Sequence, residues 1–226
     1  MKPVCLITGA AGLLGHALCS LLSKDYSIVA IYRNSIPKHS SQLIRQVAFQ
    51  ESEEVYCIQG DLTNKEDIRR IVDVTIAKFG QIDVVINNAV DYTRRGTLLE
   101  LFQTDDYANA KLNINSVVPF QLVSYVHQNC WKELPEENLA WNRNVVNISS
   151  MSGVNVYAES EPIYSASKSA MNILTLHLAM ELNCYRVRAN AICPPGFSSD
   201  GAGFIALKVK EMMEGSESGK IVKNLY

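Results

Sequence analysis

Two hydrophobic rhythms alternate along the chain. Residues 4–7, 27–32, 55–59, 82–86, 144–148 and 187–192 are short apolar runs without polar alternation. Such runs predict strands buried on both faces, as in a parallel sheet. Between them, apolar residues recur every three to four positions. The clearest case is Ile68, Ile71, Val72, Thr75, Ile76 and Phe79, which predicts an amphipathic helix over 64–79. Thr63 or Asn64 is a suitable cap for its start and Gly80 a suitable stop.

Further helices are predicted from the glycine-rich turn to about residue 24, over 38–50, over 104–128, from Tyr164 to about 183, and over 203–214. A seventh strand is predicted at 220–225. Residues 91–103 read as a polar loop followed by a short helix. Pro119 lies inside the 104–128 stretch. An interior proline costs a helix about 3 kcal/mol or more, so a kink is expected near 115–119. Residues 130–143, with Trp131 and Trp141, read as an irregular connection. The tryptophans either extend an interface or cover the end of the sheet.

Strands thus alternate with helices six or seven times. The prediction is an α/β fold: one doubly wound parallel sheet with helices on both faces, as a single domain over 1–226.

Composition narrows the class. The chain has 226 residues, is 47% hydrophobic and 19% charged, and carries a formal net charge of -2. No field of one sign points to nucleic acid or an anionic membrane. No apolar run approaches the length of a membrane span. Six cysteines occur at 5, 19, 57, 130, 184 and 193, with no Cys-x-x-Cys spacing. They read as reduced thiols of a cytoplasmic protein, without a disulfide frame or metal site.

The candidate chemistry sits at predicted strand ends, where open parallel sheets bind ligands. The first strand runs into Thr8-Gly9-Ala10-Ala11-Gly12-Leu13-Leu14-Gly15, then a helix. Glycines let the backbone approach a pyrophosphate, and the first helical N–H groups hold its charge. The second strand ends at Arg33 with no carboxylate beside it. A carboxylate there suits the ribose hydroxyl of NAD, whereas arginine suits the 2′-phosphate of NADP. Arg33 therefore favours NADP(H) over NAD(H). Asp61-Leu62, Asn88-Ala89, Ser150 and Pro195-Gly196 fall at further strand ends. Tyr164 and Lys168 stand four residues apart, on one helical face. A nearby ammonium lowers a phenol pKa, which makes a proton donor for a developing alkoxide.

The ordered set resembles the short-chain dehydrogenase/reductase family over nearly the whole chain. The matching pieces are Thr8-Gly9 with Gly12 and Gly15, Asp61-Leu62, Asn87-Asn88-Ala89, Asn115, Asn147 to Ser150, Tyr164 to Lys168, and Asn190-Ala191 through Pro195-Gly196. The resemblance implies a Rossmann fold and a hydride transfer between NADP(H) and a carbonyl or alcohol. It implies Tyr164 as acid/base and Lys168 as the group that lowers its pKa and holds the nicotinamide ribose. Ser150 would bind the substrate oxygen, and Asn115 would position a relay water. Asp61 and Leu62 would border the adenine, and Asn88 the adenosine ribose. It also implies a homodimer or homotetramer, paired through the Asn115 helix and the helix after Tyr164.

Four features depart from that pattern. The glycine spacing is T-G-x-x-G-x-x-G, typical of the family's nucleotide-sugar epimerases and dehydratases. Val90 stands where the family has glycine, and the span from Ser150 to Tyr164 is one residue longer than is usual in the family. After Gly196 the segment that covers the substrate is very short. Two alternatives to a carbonyl reductase therefore stay open. One is a nucleotide-sugar reductase or epimerase-like enzyme, although little chain follows Gly196 for a substrate domain. The other is a non-catalytic NADP-binding regulator.

Overall fold

The computed structural model describes residues 2–34, 55–93, 97–99, 106–157, 161–196 and 198–223. The expected helix over 38–50 and most of the loop between 91 and 103 lie outside those residues.

Seven parallel strands form one sheet in the order β3-β2-β1-β4-β5-β6-β7. They are β1 (Val4–Thr8), β2 (Ser27–Tyr32), β3 (Val55–Gln59), β4 (Val84–Asn87), β5 (Asn144–Ile148), β6 (Arg188–Ile192) and β7 (Ile221–Val222). Every residue of β1, β4 and β5 is buried. That burial is why these segments read as unbroken apolar runs. The order reverses beside β1, which pairs with both β2 and β4. A crevice opens at that point, beyond the strand carboxyl ends.

One layer of helices contains α1 (Leu13–Leu22) and α7 (Ser199–Glu214). Leu14, Leu18 and Leu22 of α1 pack in a core cluster with Ile205, Val209 and Met213 of α7. The other layer contains α2 (Lys65–Phe79), the segment 107–131, and α6 (Pro162–Leu182). Asn64 caps α2, its Oδ1 accepting from the Glu66 amide at 2.9 Å. Gly80 ends that helix at φ 78°, a left-handed conformation that glycine adopts without strain.

The break expected near 115–119 is a π turn. Helix α3 (Tyr107–Leu112) passes into π geometry over Asn113–Val117 and resumes as α4 (Val118–Val126). The Val118 amide donates to the Asn113 carbonyl, five residues back. Pro119 has no N–H to offer Asn115, so both the Ile114 and Asn115 carbonyls lose their usual donor.

The stretch expected to be irregular at 130–143 contains a further helix, α5 (Pro135–Ala140). Trp131 is fully buried, and its indole N–H donates to the Ile82 carbonyl at 2.7 Å. It closes the amino end of the sheet. Helix α7 begins at Ser199 where 203 was expected, so no separate element intervenes between Gly196 and that helix among the described residues.

Candidate active site

The turn after β1 is built by close approach. Gly9 adopts φ +65°, and a Cβ on it would lie 2.8 Å from the Ala89 Cα. A Cβ on Gly15 would lie 2.4 Å from the Gly9 carbonyl oxygen. Both contacts are too short for any side chain, so these glycines are steric requirements. Gly12 caps α1 without a side-chain hydrogen bond, and no acidic residue occupies the first turn. The leading amides of α1 therefore carry no competing anion and fit a bound phosphate.

Thr8 and Asn88 serve this turn from behind. Thr8 Oγ1 accepts from the amides of Asn88 and Ala89, both at 3.0 Å. Asn88 Nδ2 donates to the carbonyls of Thr8 and Gly9 at 2.9 and 3.0 Å. The two side chains pin the end of β4 to the turn.

One part of the crevice, about 850 Å³, is lined by Gly12, Arg33, Asp61, Leu62, Ala89 and Tyr92, among others. Arg33 is exposed at the end of β2, and its carbonyl accepts from Gln59 Nε2 at 3.0 Å. Asp61 is turned toward its own loop. Its amide donates to Asp67 Oδ2 at 2.8 Å, and its Oδ1 accepts from the Thr63 amide and hydroxyl at 2.9 and 2.7 Å. Leu62 is buried beside it.

A second part, about 480 Å³, is lined by Leu13, Leu14, Ser150, Tyr164, Lys168, Pro195 and Gly196. Val90 and Tyr92 border both parts, which makes them one crevice. Ser150, Tyr164 and Lys168 thus meet where the spacing predicted.

Glu161 caps α6 by accepting from the Ile163 and Tyr164 amides at 3.2 and 2.5 Å, and Pro162 opens the helix. Tyr164 and Lys168 both point inward from that helix. Lys168 is 2% exposed, and its ammonium donates to the Ile148 carbonyl at 2.7 Å. It lies 5.9 Å from the centroid of the Tyr164 ring. Burial lowers the Lys168 pKa to about 7.

The electrostatics of Tyr164 differ from the expectation. Burial raises its pKa above the ordinary phenol value, a hydrogen bond with Ser150 acts in the opposite direction, and Lys168 has no part in the balance. With its own pKa near 7, Lys168 has lost its charge by the pH at which the phenol titrates, and its Nζ is engaged by the Ile148 carbonyl of β5. Tyr164 is therefore a protonated phenol at neutral pH, hydrogen-bonded to Ser150. Ser150 Oγ also accepts from the Ser152 amide at 3.1 Å, which holds the hydroxyl in place.

Asn115 is fully buried, and its side chain is engaged. Its Oδ1 accepts from the Asp91 amide at 2.8 Å. Its Nδ2 donates to the Asp91 carbonyl and to Ser167 Oγ, both at 3.1 Å. No hydrogen bond joins it to Lys168 among the described residues. Its side chain ties the loop after β4 to α6, with Oδ1 and both Nδ2 donors engaged there.

Several site residues escaped sequence reading. Tyr92 meets the Tyr164 ring edge-on, with centroids 4.9 Å apart at 90°. A Cβ on Gly153 would lie 2.6 Å from the Lys168 carbonyl carbon, so Gly153 lets the turn after Ser150 rest on α6. Lys111 and Glu161 form a buried ion pair at 3.1 Å. Their signal was an unexplained lysine and glutamate fifty positions apart, which no local pattern connects.

A short chain dehydrogenase family model matches residues 3–210. The chain belongs to this family. Its members are oxidoreductases that bind NAD(P). Among curated relatives, 3-oxoacyl-(acyl-carrier-protein) reductase FabG of Thermotoga maritima is 29% identical over 192 residues, covering 84% of this chain and 72% of that protein. A short chain dehydrogenase from Leptospira borgpetersenii with bound NAD+ superposes with a TM-score of 0.77 at 20% identity, covering 98% of this chain and 91% of that one. ElxO with NADP bound gives a TM-score of 0.78 at 22% identity, covering 98% and 96%. At those identities the two structures show the fold. No helix among the described residues is long and apolar enough to cross a membrane.

Proposed function

We propose that this short-chain dehydrogenase is an NADP-dependent reductase of a neutral carbonyl, with Tyr164 as the proton donor. The observation that carries the reading is the convergence of Ser150, Tyr164 and Lys168 on one part of the crevice, where burial keeps the phenol pKa above its ordinary value. A phenol held in its acid form suits protonation of a carbonyl oxygen that is gaining charge. Bound NADPH supplies the hydride. Ser150 and Tyr164 converge on the substrate oxygen and orient it. Lys168, anchored at the Ile148 carbonyl, presents its remaining N–H groups to the ribose and returns a proton to the phenol. The Asn115 main-chain carbonyl holds the water that supplies Lys168. Thr8, Gly9, Gly12, Leu13, Leu14 and Gly15 bind the phosphates, with Asp61, Leu62, Asn88 and Ala89 on the adenosine side and Pro195-Gly196 beside the nicotinamide. Arg33 selects NADPH through the 2′-phosphate. Among the described residues no element separates Gly196 from α7, and so short a path over the reacting face suits a bulky or carrier-bound substrate.

Replacing Tyr164 by Phe tests the assignment against a panel of ketones, aldehydes and 3-oxoacyl thioesters. Turnover is expected to vanish while the dissociation constant for NADPH stays within about threefold, since the ring and its packing remain. Turnover that survives the replacement overturns the role of Tyr164. A panel without any substrate, alongside tight NADPH binding, favours the regulator reading.

Self-association through the second helical layer is part of the proposal. Val117, Ile173, Leu174, Leu176 and Met180 are large apolar residues left exposed on α6 and the π turn before α4. Sedimentation of the parent and of Leu174→Glu tests it, with a dimer or tetramer expected to dissociate. A cytoplasmic location accords with six cysteines that are all free thiols.

A further inference from the structure

Lys111 and Glu161 have no part in the chemistry above, yet they are the most deeply buried ion pair beside Tyr164 among the described residues. Their side chains are 0% and 5% exposed. Replacing such a pair by apolar groups of similar volume is often neutral or stabilising, so the pair is weak evidence of a stabilising device. Its connections are more informative.

Glu161 faces α6. Its carboxylate accepts from Lys111 Nζ at 3.1 Å, from the Tyr164 amide at 2.5 Å and from the Ile163 amide at 3.2 Å. Burial acts to raise the Glu161 pKa, but hydrogen bonds from Tyr107, the Tyr164 amide and Lys111 bring it below the ordinary carboxylate value. Glu161 is thus held as a carboxylate. Lys111 faces the other way as well, donating to the Thr93 carbonyl. The Tyr107 hydroxyl shares its one proton between that same carbonyl, at 3.2 Å, and the Glu161 carboxylate.

Residues 91–93 are thus fastened at both ends. Asn115 holds the main chain of Asp91, and Lys111 with Tyr107 holds that of Thr93. The Thr93 amide donates to Asp91 Oδ1 at 2.8 Å, which stiffens the strap. Between the two anchors stands Tyr92, whose side chain meets Tyr164 edge-on. The strap borders both parts of the crevice.

We propose that Lys111 is a positioning residue that joins this strap, through Glu161, to the helix cap under Tyr164. The roof of the crevice and the phenol then hold one relative position. The proposal rests on Tyr164 being the proton donor, but its contacts are all within this chain.

The test is amide exchange in ligand-free protein, so its outcome is independent of turnover and leaves the oxidoreductase reading untouched if it fails. Lys111→Met is expected to speed exchange about tenfold or more at both the Thr93 amide and the Ile163 and Tyr164 amides, the order set by losing a charge-assisted hydrogen bond. Amides of β1, β4 and β5 should stay protected. The double variant Lys111→Met with Glu161→Gln removes the stranded charge while keeping the cap acceptor. It should regain the parent's denaturation midpoint but not slow exchange at Thr93. If Lys111→Met does not fold, Glu161→Gln alone carries the test through faster exchange at Thr93, on the far side of the pair. Exchange that speeds only at the strap, or only at the cap, overturns the proposal. So does a double variant that recovers slow exchange together with its midpoint, because the pair is then purely structural.

Discussion

The ammonium of Lys168 donates to the carbonyl oxygen of Ile148 at 2.7 Å, and through that bond the last residue of β5 fixes the lysine that stands one helical turn after Tyr164. The bond satisfies one donor of a side chain that is 2% exposed. It does not repay the whole cost of burying the charge, which is why the pKa falls to about 7 from an ordinary 10.5.

That shift gives a stability prediction with a definite sign. Between pH 7 and 10.5 the unfolded chain binds a proton at Lys168 that the folded chain does not. Stability therefore rises with pH through this window, and the penalty is fully present below it. Lys168→Met should raise the denaturation midpoint at pH 7 and gain less at pH 10. Urea melts of parent and variant at both pH values check this, and a pH-independent difference contradicts it.

Gly153→Ala forces a methyl group against the Lys168 backbone, at 2.6 Å from its carbonyl carbon. The turn carrying Ser150 must then lift from α6, which separates the Ser150 hydroxyl from Tyr164. A displacement of this size costs on the order of 100-fold in turnover. The glycine turn after β1 lies elsewhere in the crevice, so the affinity for NADPH proposed to bind there should hold. Comparing kcat with the NADPH dissociation constant separates the two effects.

Arg33→Ala should remove the preference for NADPH over NADH. A charge-assisted bond to phosphate is worth about 1.5–3 kcal/mol, or about 10–100-fold in affinity. Equal dissociation constants for the two cofactors in the parent protein rule out this role.

At the opposite end of the sheet, Arg143 Nε donates to Asp83 Oδ1 at 3.1 Å, and both side chains are buried. Asp83 Oδ2 also accepts from the Val4 amide at 2.7 Å and from Gln81 Nε2 at 2.9 Å. Arg143→Met strands the carboxylate and should cost about 3–5 kcal/mol in denaturant unfolding. Replacing Asp83 and Arg143 together by leucine should recover part of that loss. No recovery means the Val4 and Gln81 bonds dominate.

Much of the fold was legible because the strands are buried on both faces. β2, β3 and β5 have the bounds their apolar runs predicted, while β4 is shifted by one or two residues. Asn64 and Gly80 marked the ends of α2 because capping and left-handed backbone are local chemistry. The helix α5 was not legible, since six residues between two tryptophans give no usable period. The break near Asn115 was legible from Pro119, but its form as a π turn was not.

The order of the chain's own motifs determined the sheet, the glycine turn, the meeting of Ser150 with Tyr164 and Lys168, and the family. These rest on backbone sterics, burial and helical spacing, which act over a few residues. Tertiary structure alone decided that Lys168 spends a hydrogen bond on β5, that Asn115 ties down Asp91, and that Tyr92, Lys111 and Glu161 belong to the site. Those relations join residues 20 to 72 positions apart. Their energies depend on burial and direction, which exist only once the sheet and its helices have packed.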